Sequence, residues 1–256
     1  MEYGLIGEKL GHSFSKEIHE KLADYQYNIT PLTREEFPEF MKARDFKAIN
    51  VTIPYKCDVI PYLDEMDSNA KSIGAVNTIV NKEGKLIGHN TDFSGFLYMV
   101  EHHKVTIEGK KILVIGNGGA SKAVIAVLNH LQAKEIIIID IVSGPGVITK
   151  EEAVKNHTDV DVIINTSPVG MYPNVDQSPI DLTLFPHCKA VLDIIYNPLQ
   201  TKLTKQASEL GMQAINGLEM LVGQAKYAVE FFLDKSIDDD VIDPIYHQIM
   251  TDMMKL

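Results

Sequence analysis

A short apolar strand that runs into a lysine is the part of this chain best suited to chemistry. The run is Asn50-Val51-Thr52-Ile53-Pro54-Tyr55-Lys56, and it is followed by Gly74-Ala75-Val76-Asn77-Thr78, by Asn90-Thr91-Asp92-Phe93 and by a glycine-rich turn at Gly116. Reduction of a carbonyl needs a proton donor to its oxygen, and a polyol ring needs groups that fix its hydroxyls. A lysine paired with an aspartate supplies both. The order of these groups predicts an oxidoreductase that acts on a small hydroxylated substrate.

Each of these residues also has an ordinary interpretation. Most lysines are solvated surface residues, and Asp92 could simply cap a helix that starts at Phe93. Ser13 and Ser15 could be alternative caps of the first helix. Their other interpretation is functional, because two hydroxyls beside a helix N-terminus are a neutral way to hold a carboxylate.

The glycine-rich turn at Gly116-x-Gly118 indicates nucleotide binding. It lies between the apolar run Ile112–Ile115, expected of a strand buried on both faces, and a helix predicted from Ser121 to about Leu131. Glycines let the backbone turn tightly and approach a pyrophosphate, which then lies on the helix N-terminus. The third position of the motif is small, Ala120 or Ser121, rather than glycine. A purely structural turn is the alternative.

Asp140 ends the second predicted strand of this region, 24 residues after Gly116. A dinucleotide fold places there the acid that bonds the ribose hydroxyls of NAD. The alternative is a turn aspartate that terminates the strand. An arginine nearby would accommodate the extra phosphate of NADP, but the segment 141–145 contains none.

Hydrophobic periodicity predicts an α/β fold with two regions. The first hundred residues alternate strand and helix, and after Lys111 a βαβ unit begins. Predicted strands are 3–7, 48–53, 75–80, 85–89, 112–115, 136–140, 160–165 and 190–195; predicted helices are 15–25, 93–103, 121–131, 202–210, 218–233 and 241–254. Residues 81–84 are a hairpin signal, and Pro61 is expected to split a helical stretch. We expect a domain boundary near residue 104 and a return crossing near residue 218.

Composition excludes several classes of protein. The 256 residues are 45% hydrophobic and carry a net charge of −11, which argues against nucleic acid or an anionic membrane as a partner. No segment reaches the roughly 18 unbroken apolar residues of a membrane helix, and no signal peptide is evident, so a cytoplasmic location is expected. Cys57 and Cys188 are interpreted as reduced thiols. His102 and His103 are adjacent on one predicted helix and would not share a face, so no metal is expected.

Taken together, the motifs resemble those of shikimate dehydrogenases over nearly the whole chain. The matching runs are Gly11-His12-Ser13-Phe14-Ser15, Asn50 to Lys56, Gly74 to Thr78, Asn90-Thr91-Asp92, Gly116 to Ala120, Asn165 to Met171, Asp193 to Pro198 and Asn216 to Leu221. The resemblance implies reversible hydride transfer between a nicotinamide cofactor, NADP(H) in the family, and 3-dehydroshikimate/shikimate, in the pathway to the aromatic amino acids.

The resemblance also implies roles for individual residues. Lys56 and Asp92 match the catalytic pair, and Ser13 and Ser15 match the hydroxyls that bind the substrate carboxylate. Thr52, Asn77, Asp92 and Gln224 match positions that hold ring hydroxyls, and Tyr196 matches a residue at the edge of the site. The implied cofactor residues are Gly116, Asn117, Gly118, Gly119 and Ala120, with Gly217 and Met220 at the nicotinamide end.

The implied architecture has two domains. Residues 1–104 and 218–256 form an N-terminal α/β substrate-binding domain completed by the C-terminal helices, and residues 105–217 form a Rossmann-like, doubly wound dinucleotide-binding domain. A cleft between the domains would close over substrate and cofactor. The chain is expected to be a monomer or a homodimer.

One departure from the family pattern matters for the cofactor. Members that use NADP carry Asn-Arg-Thr after the second Rossmann strand, with another basic residue a few positions on, whereas this chain has Asp140, Ile141 and Val142, with Pro145 further along. The segment 141–160 is predicted to be too short for the usual helix plus third strand. We therefore expect Asp140 to favour NAD(H) over NADP(H), or affinity for either dinucleotide to be weakened. A smaller departure, Lys16 in place of proline, should have little effect.

Two alternatives to shikimate dehydrogenase activity follow from these departures. One is an NAD-dependent quinate/shikimate dehydrogenase, although the two serines at 13 and 15, rather than a threonine, favour shikimate. The other is a ligand-binding homologue with impaired cofactor use, against which Lys56 and Asp92 argue.

Overall fold

The computed structural model describes residues 1–11 and 13–255, so His12 of the first motif and Leu256 lie outside the described residues. The chain divides into two compact units. The first comprises Met1–Phe96 and the chain from Leu221 onward, and the second comprises Leu97–Met220. In the part of the chain that is described, no helix is both long and apolar enough to cross a membrane.

The first unit is built on a six-stranded mixed sheet with strand order β2-β1-β3-β5-β6-β4. Its strands are β1 (Tyr3–Gly7), β2 (Tyr27–Pro31), β3 (Ala48–Val51), β4 (Glu65–Met66), β5 (Thr78–Lys82) and β6 (Lys85–His89). Its helices are α1 (Ser15–Leu22), α2 (Phe37–Ala43), α3 (Ser68–Ile73) and α9 (Ile242–Met253). Two further helices, α4 (Thr91–His102) and α8 (Leu218–Leu233), contain the points where the chain passes from one unit to the other.

The second unit is built on a six-stranded parallel sheet with strand order β12-β11-β10-β7-β8-β9. Its strands are β7 (Lys111–Ile115), β8 (Glu135–Ile139), β9 (Val147–Ile148), β10 (Val162–Asn165), β11 (Ala190–Asp193) and β12 (Gln213–Ile215). Its helices are α5 (Gly119–His130), α6 (Lys150–Asn156) and α7 (Lys202–Glu209). From one edge the strands run third, second, first, fourth, fifth and sixth in chain order, which is the doubly wound order of dinucleotide-binding folds.

Separate apolar cores hold the two sheets. In the first unit Ile6, Ile49 and Ile79 are fully buried beside Phe37 and Tyr55, whose rings stack 4.2 Å apart. In the second unit β7, β10 and β11 are buried on both faces. Each fully buried leucine or isoleucine contributes about 1.5–3 kcal/mol relative to an exposed one. The rigid sheets therefore give fixed positions to the strand ends.

The predicted elements agree with these bounds to within a few residues, with two differences of substance. The hairpin is present, but β5 begins at Thr78 rather than at Ala75, because Val76 and Asn77 donate their N–H groups to Lys56 and His89 instead. The segment 141–160 is not too short for a third strand and a helix, since it holds β9 and α6.

The helix that is missing from this segment lies between β8 and β9. Over 141–146 the chain instead forms an exposed turn, in which the side chains of Ile141 and Val142 are 96% and 73% exposed. The prediction of a trimmed segment is correct for this helix and wrong for the third strand.

Candidate active site

Several polar strand ends meet at one edge of the first sheet. Strands β1 and β3 are parallel, so Gly7 and Val51 end at the same edge. Strand β5 runs antiparallel to β3, with Asn50 opposite Thr78, and β6 brings His89 opposite Thr78. The residues that follow β3 and β6, and those that precede β5, are therefore neighbours. This edge gathers Thr52, Lys56, Asn77 and Asp92.

Lys56 and Asp92 form a close ion pair at this edge. The ammonium nitrogen of Lys56 lies 2.5 Å from Asp92 Oδ2, and the two side chains are only 14% and 9% exposed. Asp92 lies in the first turn of α4, but it does not cap that helix; the carboxamide oxygen of Asn90 accepts the N–H of Phe93 instead. The interpretation of Asp92 as a cap is therefore wrong. A lysine and a carboxylate held together in a mostly buried position can orient a substrate oxygen and exchange a proton with it.

Asn77 holds the second oxygen of the carboxylate. Its amide nitrogen donates to Asp92 Oδ1 at 3.0 Å and to Thr91 Oγ1 at 3.1 Å. Its carbonyl oxygen accepts the backbone N–H of Thr91 at 2.7 Å and the hydroxyl of Thr78 at 3.0 Å. Both oxygens of Asp92 thus have donors, so the orientation of the carboxylate is set before any ligand arrives.

A buried polar chain behind the pair was not assigned from the sequence. The hydroxyl of Tyr27 donates to Asn50 Oδ1 at 2.7 Å, and Asn50 Nδ2 donates to Thr78 Oγ1 at 3.1 Å. Thr78 in turn contacts Asn77. Burial raises the pKa of the Tyr27 hydroxyl well above its ordinary value, so it remains a neutral donor. The signal for Asn50 was a lone amide inside the apolar run of β3; nothing in the sequence marked Tyr27.

The other predicted substrate residues of the first unit have different surroundings. Ser13 and Ser15 flank Phe14, the N-cap residue of α1, which makes no side-chain cap hydrogen bond, so the interpretation of either serine as the cap is wrong. Ser13 Oγ accepts the N–H of Ser15 at 3.3 Å. Thr52 follows β3 and lies against Gly7, where an added Cβ would come within 2.6 Å of its methyl carbon. Gln224, on α8, donates to the carbonyl of Leu221 at 2.9 Å.

Tyr196 belongs to the second unit, after β11. Burial raises the pKa of its hydroxyl. Among the predicted catalytic and substrate residues, the structure brings Lys56 and Asn77 each into contact with Asp92.

The glycine-rich turn follows β7 at the point where the strand order of the second sheet reverses. Gly116 has φ +99°, and a Cβ there would lie 3.0 Å from Thr166 Oγ1, so both conformation and space require glycine. Gly118 precedes α5 without a side-chain cap, and no heavy atom lies within 4 Å of its Cβ position. The N-cap of the twelve-residue α5 therefore supplies no side-chain acceptor to the first N–H groups of the helix, and such N–H groups are the donors that a pyrophosphate needs.

The side chain of Asp140 is hydrogen-bonded to this turn. Its Oδ2 accepts the N–H of Asn117 at 2.8 Å, and its Oδ1 accepts the N–H of Ile141 at 2.6 Å. The carboxylate therefore lies beside the glycine-rich turn at the end of β8. The residues present fit a dinucleotide, with N–H donors for the phosphates and a carboxylate for ribose hydroxyls.

Gly217 and Met220 lie where β12 leads into α8. Gly217 donates its N–H to Ile195 at 3.0 Å, and any Cβ on Gly217 would overlap the carbonyl group of Ile194. Met220 is buried in the first turn of the helix. The close backbone contact fixes this turn against the chain that follows β11.

The argument that His102 and His103 would not share a face does not hold for their side chains, which meet at one partner. Both imidazoles contact the side chain of Glu219, with His102 Nδ1 2.5 Å from Oε1 and His103 Nε2 3.1 Å from Oε2. The distance of over a hundred residues between the histidines and Glu219 hid this cluster from the sequence analysis.

Comparisons with known proteins agree with this geometry. A family model described as the shikimate dehydrogenase substrate binding domain matches residues 5–79. A protein of Clostridium perfringens, strain ATCC 13124, named shikimate dehydrogenase (NADP(+)), is 38% identical over an alignment of 271 positions that covers 95% of this chain and 97% of that protein.

Solved structures also match nearly the whole chain. A chorismate mutase/shikimate 5-dehydrogenase fusion protein from Clostridium acetobutylicum superposes with a TM-score of 0.92 at 37% identity, covering 99% of this chain and 98% of the other. Shikimate 5-dehydrogenase from Listeria monocytogenes, solved with shikimate and NAD, superposes with a TM-score of 0.81 at 28% identity, covering 95% and 96%.

Proposed function

The chain belongs to the shikimate dehydrogenase family, and on that basis we propose that it transfers a hydride reversibly between a nicotinamide cofactor and the ring carbonyl of 3-dehydroshikimate, giving shikimate. It is an oxidoreductase. The observation that carries the proposal is the Lys56–Asp92 pair, 2.5 Å apart and mostly buried, at the polar edge of the first sheet.

We propose that this pair supplies the proton and orients the carbonyl. In the reductive direction the carbonyl carbon gains a hydride and its oxygen gains a proton, so the product is a secondary alcohol. The nicotinamide, when bound, supplies the hydride. Lys56 has N–H groups besides the one that faces Asp92, and these can donate to the substrate oxygen. Asn77 keeps the carboxylate of Asp92 aimed at the lysine.

The remaining assignments concern substrate positioning. We propose that Ser13 and Ser15 bind the substrate carboxylate at the start of α1, where the helix dipole adds a favourable field. Thr52, Asn77 and Gln224 would hold ring hydroxyls, and Tyr196 would lie at the edge of the site. In this assignment residues 1–104 and 218–256 are the substrate-binding domain, and residues 105–217 the dinucleotide-binding domain.

The glycine-rich turn, Gly116 to Ala120, would receive the pyrophosphate, with Gly217 and Met220 at the nicotinamide end. We propose that NAD(H) is preferred over NADP(H). A 2′-phosphate carries about −1.5 to −2 charges at neutral pH, and Asp140 would face it. Between Glu135 and Thr149 there is no lysine or arginine to compensate. The curated relatives are named as NADP(+) enzymes, so this preference would be a departure of the present chain.

A quinate-using enzyme and a ligand-binding homologue without efficient catalysis were the alternatives. The names of the relatives and of the matching structures do not favour either one.

The proposal is tested by steady-state oxidation of shikimate and, separately, of quinate, with NAD and NADP titrated independently. We expect turnover of shikimate with a higher kcat/KM for NAD. Two unit charges 4 Å apart in water repel by about 1 kcal/mol, and a 2′-phosphate carries nearly two charges. Asp140→Asn should therefore raise the NADP/NAD ratio of kcat/KM by about tenfold or more. Asp176→Asn, an exposed acid of the same unit, is the matched control and should leave the ratio unchanged.

The outcomes separate the parts of the proposal. A wild-type preference for NADP would refute the role of Asp140 and leave the activity intact. Absence of turnover with both cofactors, while shikimate still binds, would refute the activity.

A further inference from the structure

Two histidines and a buried glutamate converge at the end of α4. His102 is the last residue of α4, His103 follows it, and Glu219 lies in the first turn of α8. Their candidate ligand atoms all lie within 4.8 Å of one another. The three residues belong to the second unit and are distinct from the Lys56–Asp92 pair of the first.

Adjacent residues can share this carboxylate because they present different ring nitrogens. His102 turns its nearer nitrogen, Nδ1, toward Glu219 Oε1, and His103 reaches Oε2 with its farther nitrogen, Nε2. The ring centroids are 5.6 Å apart at an angle of 55°, so the rings are neither stacked nor parallel. Gln213 donates to the carbonyl of His103 at 2.9 Å and anchors its backbone. Two imidazole nitrogens therefore point at one carboxylate.

The carboxylate of Glu219 has an oxygen that could still accept a ligand. The Glu219 side chain is only 4% exposed, and among the described residues its Oε2 atom accepts no hydrogen bond, although His103 Nε2 lies 3.1 Å away. A buried carboxylate oxygen without a donor is costly unless a cation approaches it.

The chemistry of the three groups suits a transition metal. Two imidazoles and one carboxylate are a ligand set that binds Zn²⁺, with bonds of about 2.0–2.2 Å. Ligand atoms that bind one tetrahedral ion with bonds of this length lie about 3.3 Å from one another. The candidate ligand atoms here are separated by 2.5 Å at the closest and by no more than 4.8 Å, so the distance required by the ion lies within the observed range. The C-terminal end of α4 adds a negative dipole, which favours a cation.

We propose that His102, His103 and Glu219 form a binding site for Zn²⁺ or a similar divalent transition metal. Both histidines are partly exposed, at 44% and 36%, so the metal can enter from solvent and keep water on its remaining positions. The ion would tie the end of α4 to the start of α8. The proposal runs against the expectation of no metal, and it does not depend on the proposed enzymatic activity.

The test uses full-length protein without a histidine tag, freed of metal by a chelator. Wild type is titrated with Zn²⁺ by calorimetry and with Co²⁺ by visible absorption, which reports the ligand field. We expect one ion per chain and a rise in Tm on adding Zn²⁺. Glu219→Gln, His102→Gln and His103→Gln should each weaken binding by more than about 100-fold, since outer-shell losses alone cost 10–100-fold. His187→Gln, an exposed histidine elsewhere, is the control and should bind as wild type does.

Circular dichroism establishes that each variant is folded, so that loss of metal is not loss of structure. Weak binding of several ions by wild type, or a Co²⁺ spectrum that survives in Glu219→Gln, would overturn the proposal. So would equal loss of binding in the His187→Gln control.

Discussion

His19 is a buried imidazole whose protonation should limit the stability of the chain in acid. It lies on α1, fully buried, with its ring stacked 4.1 Å from that of Tyr27 and its Nδ1 2.8 Å from the hydroxyl of Tyr25. Its Nε2 has no hydrogen-bond partner in the described chain. Burial lowers the pKa of His19 from 6.5 to about 3, because the charged imidazolium would lose its hydration there.

The direction of the effect follows from proton linkage. The unfolded chain binds this proton near pH 6.5, whereas the folded chain binds it only near pH 3. Stability from His19 is therefore complete above pH 6.5 and is lost as the pH falls toward 3. Within that window each pH unit lowers the free energy of unfolding by about 1.4 kcal/mol. Between pH 8 and pH 5 only the part below pH 6.5 counts, so the loss is about 2 kcal/mol.

The assay is urea unfolding at pH 8, 7, 6 and 5 for wild type and for His19→Phe. Phenylalanine keeps an aromatic ring against Tyr27 and removes the titrating group. Between pH 8 and pH 5 the free energy of unfolding of the variant should therefore fall by about 2 kcal/mol less than that of wild type. The hydrogen bond to Tyr25 is lost at every pH and does not change the slope. His187→Gln removes an exposed histidine and should retain the wild-type slope. Equal slopes for wild type and His19→Phe would refute this reasoning.

Two further perturbations test other parts of the fold. Gly217→Ala places a Cβ on the Ile194 carbonyl and should cost about 3 kcal/mol or more in urea unfolding; Gly118→Ala, which meets open space, should leave stability near that of wild type. Burial raises the pKa of Asp193 to about 6, more than its hydrogen bonds lower it, so its contribution is complete below pH 3.8 and is lost as the pH rises through 6. Between pH 3.8 and pH 6 the free energy of unfolding of wild type should fall by about 3 kcal/mol relative to that of Asp193→Asn. Parallel plots of unfolding free energy against pH for the two proteins would contradict this.

The fold was predictable wherever one face or both faces of an element were uniformly apolar. The run Ile112–Ile115 is buried on both sides in the parallel sheet, so its pattern alone marked a central strand. Strand β2 carries a mixed pattern at the sheet edge and was not predicted. The two residues of β9 owe their strand geometry to pairing with β8, a long-range contact that two residues of sequence cannot encode.

The candidate site was predictable where the motif itself carries the chemistry. Lys56 and Asp92 were marked by their order along the chain, and the structure brings them into contact. The buried support behind them, from Tyr27 through Asn50, depends on strand pairing between β1, β2 and β3. The cluster around Glu219 joins residues 117 positions apart in the chain. Such contacts arise from packing and leave no local pattern in the sequence.

The central claim is that Lys56 and Asp92 act together on the substrate oxygen. The most direct measurement is kcat and KM for shikimate oxidation by wild type, Lys56→Ala and Asp92→Asn, each confirmed to be folded by circular dichroism. Lys71→Ala, an exposed lysine of the same unit, serves as the control.

Proton transfer by a positioned side chain contributes about 10²- to 10⁴-fold. Both variants at the pair should therefore lose at least about 100-fold in kcat, while the control keeps the wild-type value. If either variant at the pair retained a wild-type kcat, the account of the site would be contradicted.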